Sequence, residues 1–451
     1  MARLFGTDGV RGIANTELNC ELAMRIGAAG AYVLTSEVHR PRILLSSDTR
    51  KSADMLCAAL SAGICSVGGD VLDIGVLPTP ALAYLVRLYE ADAAVMVSAS
   101  HNPMEYNGIK WFDDRGNKLS DELEDKIEAI LCGGDRLPKP TGGDVGRIIR
   151  AKHAQREYRE FLRSTAKTSF EGLFVVLDCA NGAASHIAKD VLTSLGANVV
   201  SFEDEPDGHN INEMCGSTHP QRLRQLVAEL GADVGFSFDG DADRVIACDE
   251  RGNIVDGDRI LGMCAIAMKR EGRLKNETLV ITVMSNLGLK KRMRDEGVKL
   301  KETAVGDRYV LECMMREGYS LGGEQSGHII FLDHNSTGDG VLTAIQVLNV
   351  LKKSGEKMST LANEIPLFPQ VLVNVEVDNA VKALAMDDEL IRERIKGVEA
   401  ALGDCGRTLV RASGTEPLIR IMLEGESEEA IRAYAVSLAR VIEAKYGGKI
   451  K

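Results

Sequence analysis

Residues 42–74, RILLSSDTRKSADMLCAALSAGICSVGGDVLDI, decide the fold. Arg42 to Ser46 is a short apolar run that reads as a buried strand, and Ser47-Asp48-Thr49-Arg50 reads as a polar turn. Met55, Leu56, Ala59 and Leu60 then recur at helical spacing until Gly68-Gly69 ends the helix. Val71 to Ile74 resumes a strand. Strand, helix, strand is a crossover unit, and such units lay parallel strands side by side.

The unit recurs twice. Phe174 to Leu177 opens the second copy, Asp178-Cys179-Ala180-Asn181-Gly182 turns, and a helix carries Ile187, Val191, Leu192 and Leu195 before strand Val199-Val200. The third runs from Leu279 to Val283, turns at Met284-Ser285-Asn286, continues as a helix to Gly297, and ends in a strand from Val298 to Leu300. Three copies predict three similar α/β domains with mainly parallel sheets. One very large sheet is the alternative, disfavoured because single cores rarely grow past ~250–300 residues.

Residues 367–451 read differently. Val371, Val373, Val375 and Val377 alternate, a helix follows, then strands Thr408–Arg411 and Leu418–Leu423 and a closing helix from Glu428 to Lys445. This order predicts a small α+β domain with antiparallel pairing. Pro366 and Pro369 punctuate the junction and suggest a hinge. Domain limits are expected at 1–152, 153–254, 255–366 and 367–451.

Composition supports several globular domains: 451 residues, 45% hydrophobic and 27% charged. A net charge of −12 argues against a nucleic-acid or anionic-membrane partner, which attract basic stripes. An anionic substrate would need a local concentration of Arg, Lys and backbone N–H groups. The ten cysteines form no C-x-x-C pair and no zinc spacing. MARLFGTDGVRG lacks an apolar signal core and no stretch approaches a membrane span, so a cytoplasmic location is expected.

Four loops carry the chemistry. The strand Ala93 to Val97 runs into Ser98-Ala99-Ser100-His101-Asn102-Pro103, which places Ser100 at a strand end as an exposed nucleophile. A serine hydroxyl needs a base or a phosphate to become reactive, and His101 and Lys110 are the local candidates. Asn107-Gly108-Ile109-Lys110 reads as a tight turn delivering that lysine. A plain capping loop is the other reading of this stretch.

Val234 to Phe238 leads into Asp239-Gly240-Asp241-Ala242-Asp243-Arg244. Three carboxylates on alternate residues converge on one hard cation. An EF-hand counted from Asp239 has Glu250 at its twelfth position but Arg244 where the sixth needs glycine. A solvated acidic turn is the alternative. Gly322-Gly323-Glu324-Gln325-Ser326-Gly327-His328 suits vicinal hydroxyls and proton transfer, or is simply a Gly-rich turn. Arg411-Ala412-Ser413-Gly414-Thr415-Glu416-Pro417, with Arg420 behind, is a candidate phosphate nest or a hairpin turn. No Walker A string or dinucleotide fingerprint occurs.

Taken in order, these loops resemble the four signature loops of the α-D-phosphohexomutases, a resemblance spanning nearly the whole chain. Phe5-Gly6-Thr7-Asp8-Gly9-Val10-Arg11-Gly12, Gly216-Ser217-Thr218-His219-Pro220, Val305-Gly306-Asp307-Arg308-Tyr309-Val310 and Thr337-Gly338-Asp339-Gly340 are similar to the branch that acts on glucosamine phosphates. The resemblance implies four domains in a heart shape around a central cleft. It implies a phosphoserine at Ser100, with one Mg²⁺ per subunit on Asp239, Asp241, Asp243 and a Ser100 phosphate oxygen. Glu324 and Ser326 would contact the sugar, while Arg411, Ser413, Gly414, Thr415 and Arg420 would hold the non-reacting phosphate. Arg11, His101, Lys110, Arg244 and His328 would line the reacting centre. Ala242 departs from the branch, which carries glycine there.

The implied reaction interconverts glucosamine 6-phosphate and glucosamine 1-phosphate through a 1,6-bisphosphate, feeding UDP-N-acetylglucosamine synthesis. Glucosamine or glucose 1,6-bisphosphate would be the activator, and the phosphosugar the partner, with a homodimer left open. A glucose- or mannose-phosphate mutase of the same family, or a magnesium-dependent sugar phosphatase, are the rival readings.

Overall fold

The computed structural model describes residues 3–6, 8–34, 40–133, 137–413 and 417–451. It forms two compact units, Met1–Met284 with Glu296–Glu364, and Ser285–Asp295 with Ile365–Lys451. Among the described residues the strands build four sheets.

The first sheet takes β1 (Val10–Ile13), β2 (Arg42–Ser47), β3 (Asp70–Val76), β4 (Ala93–Val97), β5 (Tyr106–Asp113) and β6 (Ile148–Arg150), in the order β1-β5-β4-β2-β3-β6. Helix Ser52–Ser66 links β2 to β3 as read, and β2 lies parallel to both β3 and β4. All five residues of β4 are buried, as both faces of a covered sheet require.

The second sheet uses β7 (Phe174–Asp178), β8 (Asn198–Phe202), β9 (Val234–Phe238), β10 (Val245–Asp249) and β11 (Ile254–Val255). Its crossover helix is split, with a 3₁₀ turn Ala183–His186 before helix Ala188–Ser194, so Ile187 and Leu195 fall outside the α-helix. The third sheet holds β12 (Thr278–Thr282), β13 (Lys299–Thr303), β14 (Leu321–Gly323) and β15 (Ile329–Phe331).

Across the three sheets parallel pairs outnumber antiparallel ones, as the sequence predicts, but each sheet is mixed and carries antiparallel pairs that the sequence reading did not place. The antiparallel pairs are β4 with β5, β9 with β10, and β14 with β15, besides the edge strands β1 and β11. The difference is local. Each signature loop is the connection of a hairpin, so its strand leaves the parallel core on one side and meets its own continuation on the other. Asn107-Gly108 accordingly lies inside β5 and is not a turn.

The second unit contains β16 (Gln370–Glu376), β17 (Gly406–Ala412), β18 (Leu418–Gly425) and β19 (Lys449–Ile450) in an antiparallel sheet. Val371, Val373, Val375 and Val377 are buried with Ile431, Ala435, Leu438 and Ile442 of the closing helix Glu428–Tyr446, while Leu372 faces solvent. The alternation read from the sequence is the core face. Helix Leu287–Asp295 groups with this unit: the Leu287 N–H donates to Glu424 Oε2 at 3.0 Å.

Candidate active site

Three of the four loops meet in the first unit. Ser100 closes β4 with φ +53°, a left-handed conformation that a non-glycine residue adopts only under constraint. The sequence places it on an exposed loop, yet it is 1% exposed, because the metal loop of the second sheet packs over it. A Cβ on Gly240 would stand 2.6 Å from the Ser100 carbonyl oxygen, which is why that position takes glycine. Ser100 Oγ donates to Asp239 Oδ2 at 2.6 Å and lies 3.4 Å from His101 Nδ1.

Asp239, Asp241 and Asp243 are buried, and one carboxylate oxygen from each falls within 4.8 Å of the others. Ala242 supplies the turn between them at φ +54°, so alanine adopts the geometry that glycine takes more cheaply. Asp241 Oδ2 accepts from Thr79 Oγ1 at 2.6 Å and Lys110 Nζ at 3.0 Å. Among the described residues, no donor reaches the buried Asp241 Oδ1 or Asp243 Oδ1. Burial and the charges of Asp243 and Asp241 push the Asp239 carboxyl well above its ordinary range. Burial raises Asp241 too, but Lys110 and Thr79 outweigh it and hold that carboxyl low. Three crowded carboxylates with orphaned oxygens fit a hard cation.

Around the cluster runs a ring of alternating charge that the sequence reading missed. Lys110 lies between Asp241 and Asp8, at 3.0 and 2.9 Å. Asp8 also takes Arg11 and, at 2.6 Å, Lys118, and Lys118 reaches on to Asp307 at 2.6 Å. Asp307 stands 3.4 Å from His328 Nε2, and Asp243 stands 3.9 Å from the same atom. Asp8 and Asp307 sit within two of the branch-like strings, which was the available signal.

His328 is buried, and its Nε2 accepts the Gly338 N–H at 3.3 Å. Its Nδ1 is buried and has no hydrogen-bond partner among the described residues. Arg244 bridges to His328 by backbone pairing, which joins the metal loop to the Gly-rich loop. Its guanidinium lies 3.8 Å from Asp243, and burial, which lowers its pKa, is outweighed by Asp243 and Asp239. Burial, Arg244 and Arg11 depress the His101 pKa. Glu324 is half-buried with Oε1 accepting the Gly306 N–H at 3.0 Å, and Ser326 is exposed.

The chain matches the four domains described for phosphoglucomutase/phosphomannomutase. Domain I covers residues 2–136, domain II 156–252, domain III 256–368 and the C-terminal domain 372–441. Each match contains one signature loop. A phosphoglucosamine mutase of Clostridium perfringens is 57% identical over 446 residues, covering 99% of this chain and 100% of that one. One from Thermoanaerobacter sp. (strain X514) is 54% identical over 445 residues, again 99% and 100%. The chain belongs to the phosphohexomutases, in the phosphoglucosamine mutase branch.

The fold agrees with solved members. A phosphoglucomutase/phosphomannomutase family protein of Burkholderia thailandensis superposes with TM-score 0.84 at 24% identity, covering 99% of both chains. The N-acetylphosphoglucosamine mutase of Aspergillus fumigatus, solved with GlcNAc-6P and magnesium, gives 0.69 at 17% identity over 97% and 95%. Among the described residues no helix is long and apolar enough to cross a membrane.

The fourth loop belongs to the second unit. Arg411 on β17 is the register partner of Arg420 on β18, and Ser413 is buried at the end of the strand. Gly414 and Thr415 lie outside the described residues.

Proposed function

We propose that the chain interconverts glucosamine 6-phosphate and glucosamine 1-phosphate, with Ser100 carrying the phosphoryl group. The observation that carries this is Ser100 Oγ, 2.6 Å from Asp239 in a buried three-carboxylate cluster. Asp239, Asp241 and Asp243 would hold one Mg²⁺ together with a phosphate oxygen on Ser100. The ion would neutralise phosphoryl charge and polarise the P–O bonds.

In the forward direction the sugar O1 hydroxyl attacks phosphorus on phospho-Ser100. The P–Oγ bond breaks, a P–O1 bond forms, and the hydroxyl proton passes through a group lining the centre to Ser100 Oγ. The resulting 1,6-bisphosphate turns round. Ser100 Oγ then attacks the 6-phosphorus, a P–Oγ bond forms as the P–O6 bond breaks, the Ser100 proton passes through the same group to O6, and glucosamine 1-phosphate leaves. Phosphate is conserved over the cycle, so a first phosphoryl group is needed once, from glucosamine or glucose 1,6-bisphosphate.

Arg11, His101, Lys110, Arg244 and His328 line the reacting centre in this reading. Glu324 and Ser326 meet sugar hydroxyls, and Arg411, Ser413, Gly414, Thr415 and Arg420 grip the distal phosphate. Three aspartates and a phosphoserine of about −2 exceed the charge of one Mg²⁺, and Lys110 and Arg244 offset the rest.

The test is Ser100→Ala. It should lose nearly all mutase activity, and intact mass should show one phosphate group on the wild-type protein and none on the variant. Retention of a tenth or more of the wild-type rate would rule the phosphoserine out. Rates on glucose and mannose phosphates distinguish the rival mutases, and released inorganic phosphate as the main product would mark a phosphatase.

A further inference from the structure

Arg50 spends four of its five donors on backbone carbonyls between Ser100 and Tyr106, and the fifth on Asp48. Its Nε donates to Asp48 Oδ2 at 3.0 Å. Nη1 donates to the carbonyls of Pro103 and, at 3.1 Å, Tyr106, and Nη2 to those of Ser100 at 3.0 Å and Asn102 at 2.7 Å. A guanidinium has five N–H donors, so none is left over. Both side chains of the Asp48–Arg50 pair, in the stretch the sequence reads as a polar turn, are 0% exposed.

The same pair closes on Ser100 from its other side. The Ser100 N–H donates to Ser98 Oγ at 2.9 Å, and Ser98 Oγ donates to Asp48 Oδ2 at 2.6 Å. The N–H and the C=O of Ser100 thus end on one ion pair, which fixes the dihedrals on either side of its Cα. Asn212 from the second domain match adds a second donor to the Ser100 carbonyl at 2.8 Å and bonds that of Asn102 at 3.0 Å. The left-handed φ of Ser100 is strained for a non-glycine residue and persists only where its surroundings over-determine it.

A stability role explains this poorly, because a buried ion pair is often replaceable by apolar residues at no loss. We infer that Asp48 and Arg50 are positioning residues for the nucleophile, holding Ser100 so that Oγ meets phosphorus in line from either end of the substrate. The inference rests on Ser100 being the phosphoryl carrier. A carrier that gives and takes back a phosphoryl group on one axis needs a fixed backbone, and a misplacement of about 1 Å costs of order a hundredfold in rate. The effect should fall on the chemical step and spare sugar-phosphate binding.

Arg50→Lys keeps a positive charge beside Asp48 but has three donors for five acceptors. It should lower kcat about a hundredfold and leave KM within about threefold, and single-turnover transfer from phospho-Ser100 should slow by the same factor as kcat. Asn212→Ala, which removes one donor to the Ser100 carbonyl from outside the pair, should lower kcat severalfold with KM unchanged. It decides the matter should Arg50→Lys fail to fold. Unchanged kcat in the folded variant, or kcat and KM moving together, would overturn the inference. Activity surviving in Ser100→Ala would overturn the phosphoserine reading and this inference with it. A silent Ser100→Ala beside a fully active Arg50→Lys would overturn the inference alone.

Discussion

Arg411 and Arg420 stand directly opposite each other across β17 and β18, so both guanidinium groups rise from one face of the hairpin. Like charges in register are destabilising without an anion between them. Burial and the charge of Arg420 both lower the pKa of Arg411. Arg420→Ala tests whether this pair grips a substrate phosphate. It should raise KM about tenfold or more, the loss expected of a charge-assisted contact worth ~1.5–3 kcal/mol. Steady-state kinetics check this, and an unchanged KM would remove the loop from substrate binding.

Asp243 carries a buried Oδ1 with no donor among the described residues, beside Asp239, whose charge is disfavoured by burial and by its two neighbours. A cation that binds only the folded protein stabilises it by ~2.7 kcal/mol at a hundred times its Kd. Mg²⁺ should raise the melting temperature of the wild type, and Asp243→Asn should abolish most of that rise. Differential scanning fluorimetry with and without chelator reads this independently of turnover. Equal shifts in the two proteins would place the ion elsewhere.

The metal loop was legible in the sequence because its three carboxylates stand on alternate residues of one turn, so local geometry alone brings them together. The charge ring was not, because Lys118 meets Asp8 across 110 positions and Asp307 across 189. The burial of Asp48 and Arg50 was not legible for a related reason: the carbonyls that accept from Arg50 lie some fifty residues on. The α/β plan showed in the apolar runs and their helical intervals. The hairpins did not, since β4 and β9 read as buried strands whichever way their neighbours run.

Lys118 is the cation shared by Asp8 and Asp307. Burial works against ionising both acids, yet Lys110, Lys118 and Arg11 hold Asp8 well below its usual range, and Lys118 with His328 holds Asp307 at about 2. Lys118, Asp8 and Asp307 are part-exposed, so removing Lys118 leaves two carboxylates poorly compensated, at a cost below the ~3–5 kcal/mol of a fully buried pair. Lys118→Met should lower the urea unfolding midpoint clearly, and Lys118→Met with Asp307→Asn should recover part of the loss. A double variant no better than the single one would show that Asp307 does not depend on Lys118.

Asp339 caps helix Gly340–Ser354, accepting the Leu342 N–H at 2.9 Å, while its other oxygen accepts from the Tyr158 hydroxyl at 2.9 Å. Burial nevertheless pushes its carboxyl up to about 6. An acid whose pKa is raised by folding favours the folded state fully below its unfolded value, near 3.9, and loses that contribution as pH rises through 6. Two units correspond to about 3 kcal/mol. Asparagine retains the cap and a hydrogen bond to Tyr158 but does not titrate. Asp339→Asn should therefore gain stability relative to the wild type between pH 4.5 and pH 7.5. Asp178, also raised to about 6 chiefly by burial, titrates alike in both proteins and cancels from the comparison. Thermal melts of the two proteins at both pH values measure the change. A gap that stays constant, or moves the other way, would mean that Asp339 is comfortably ionised where it sits.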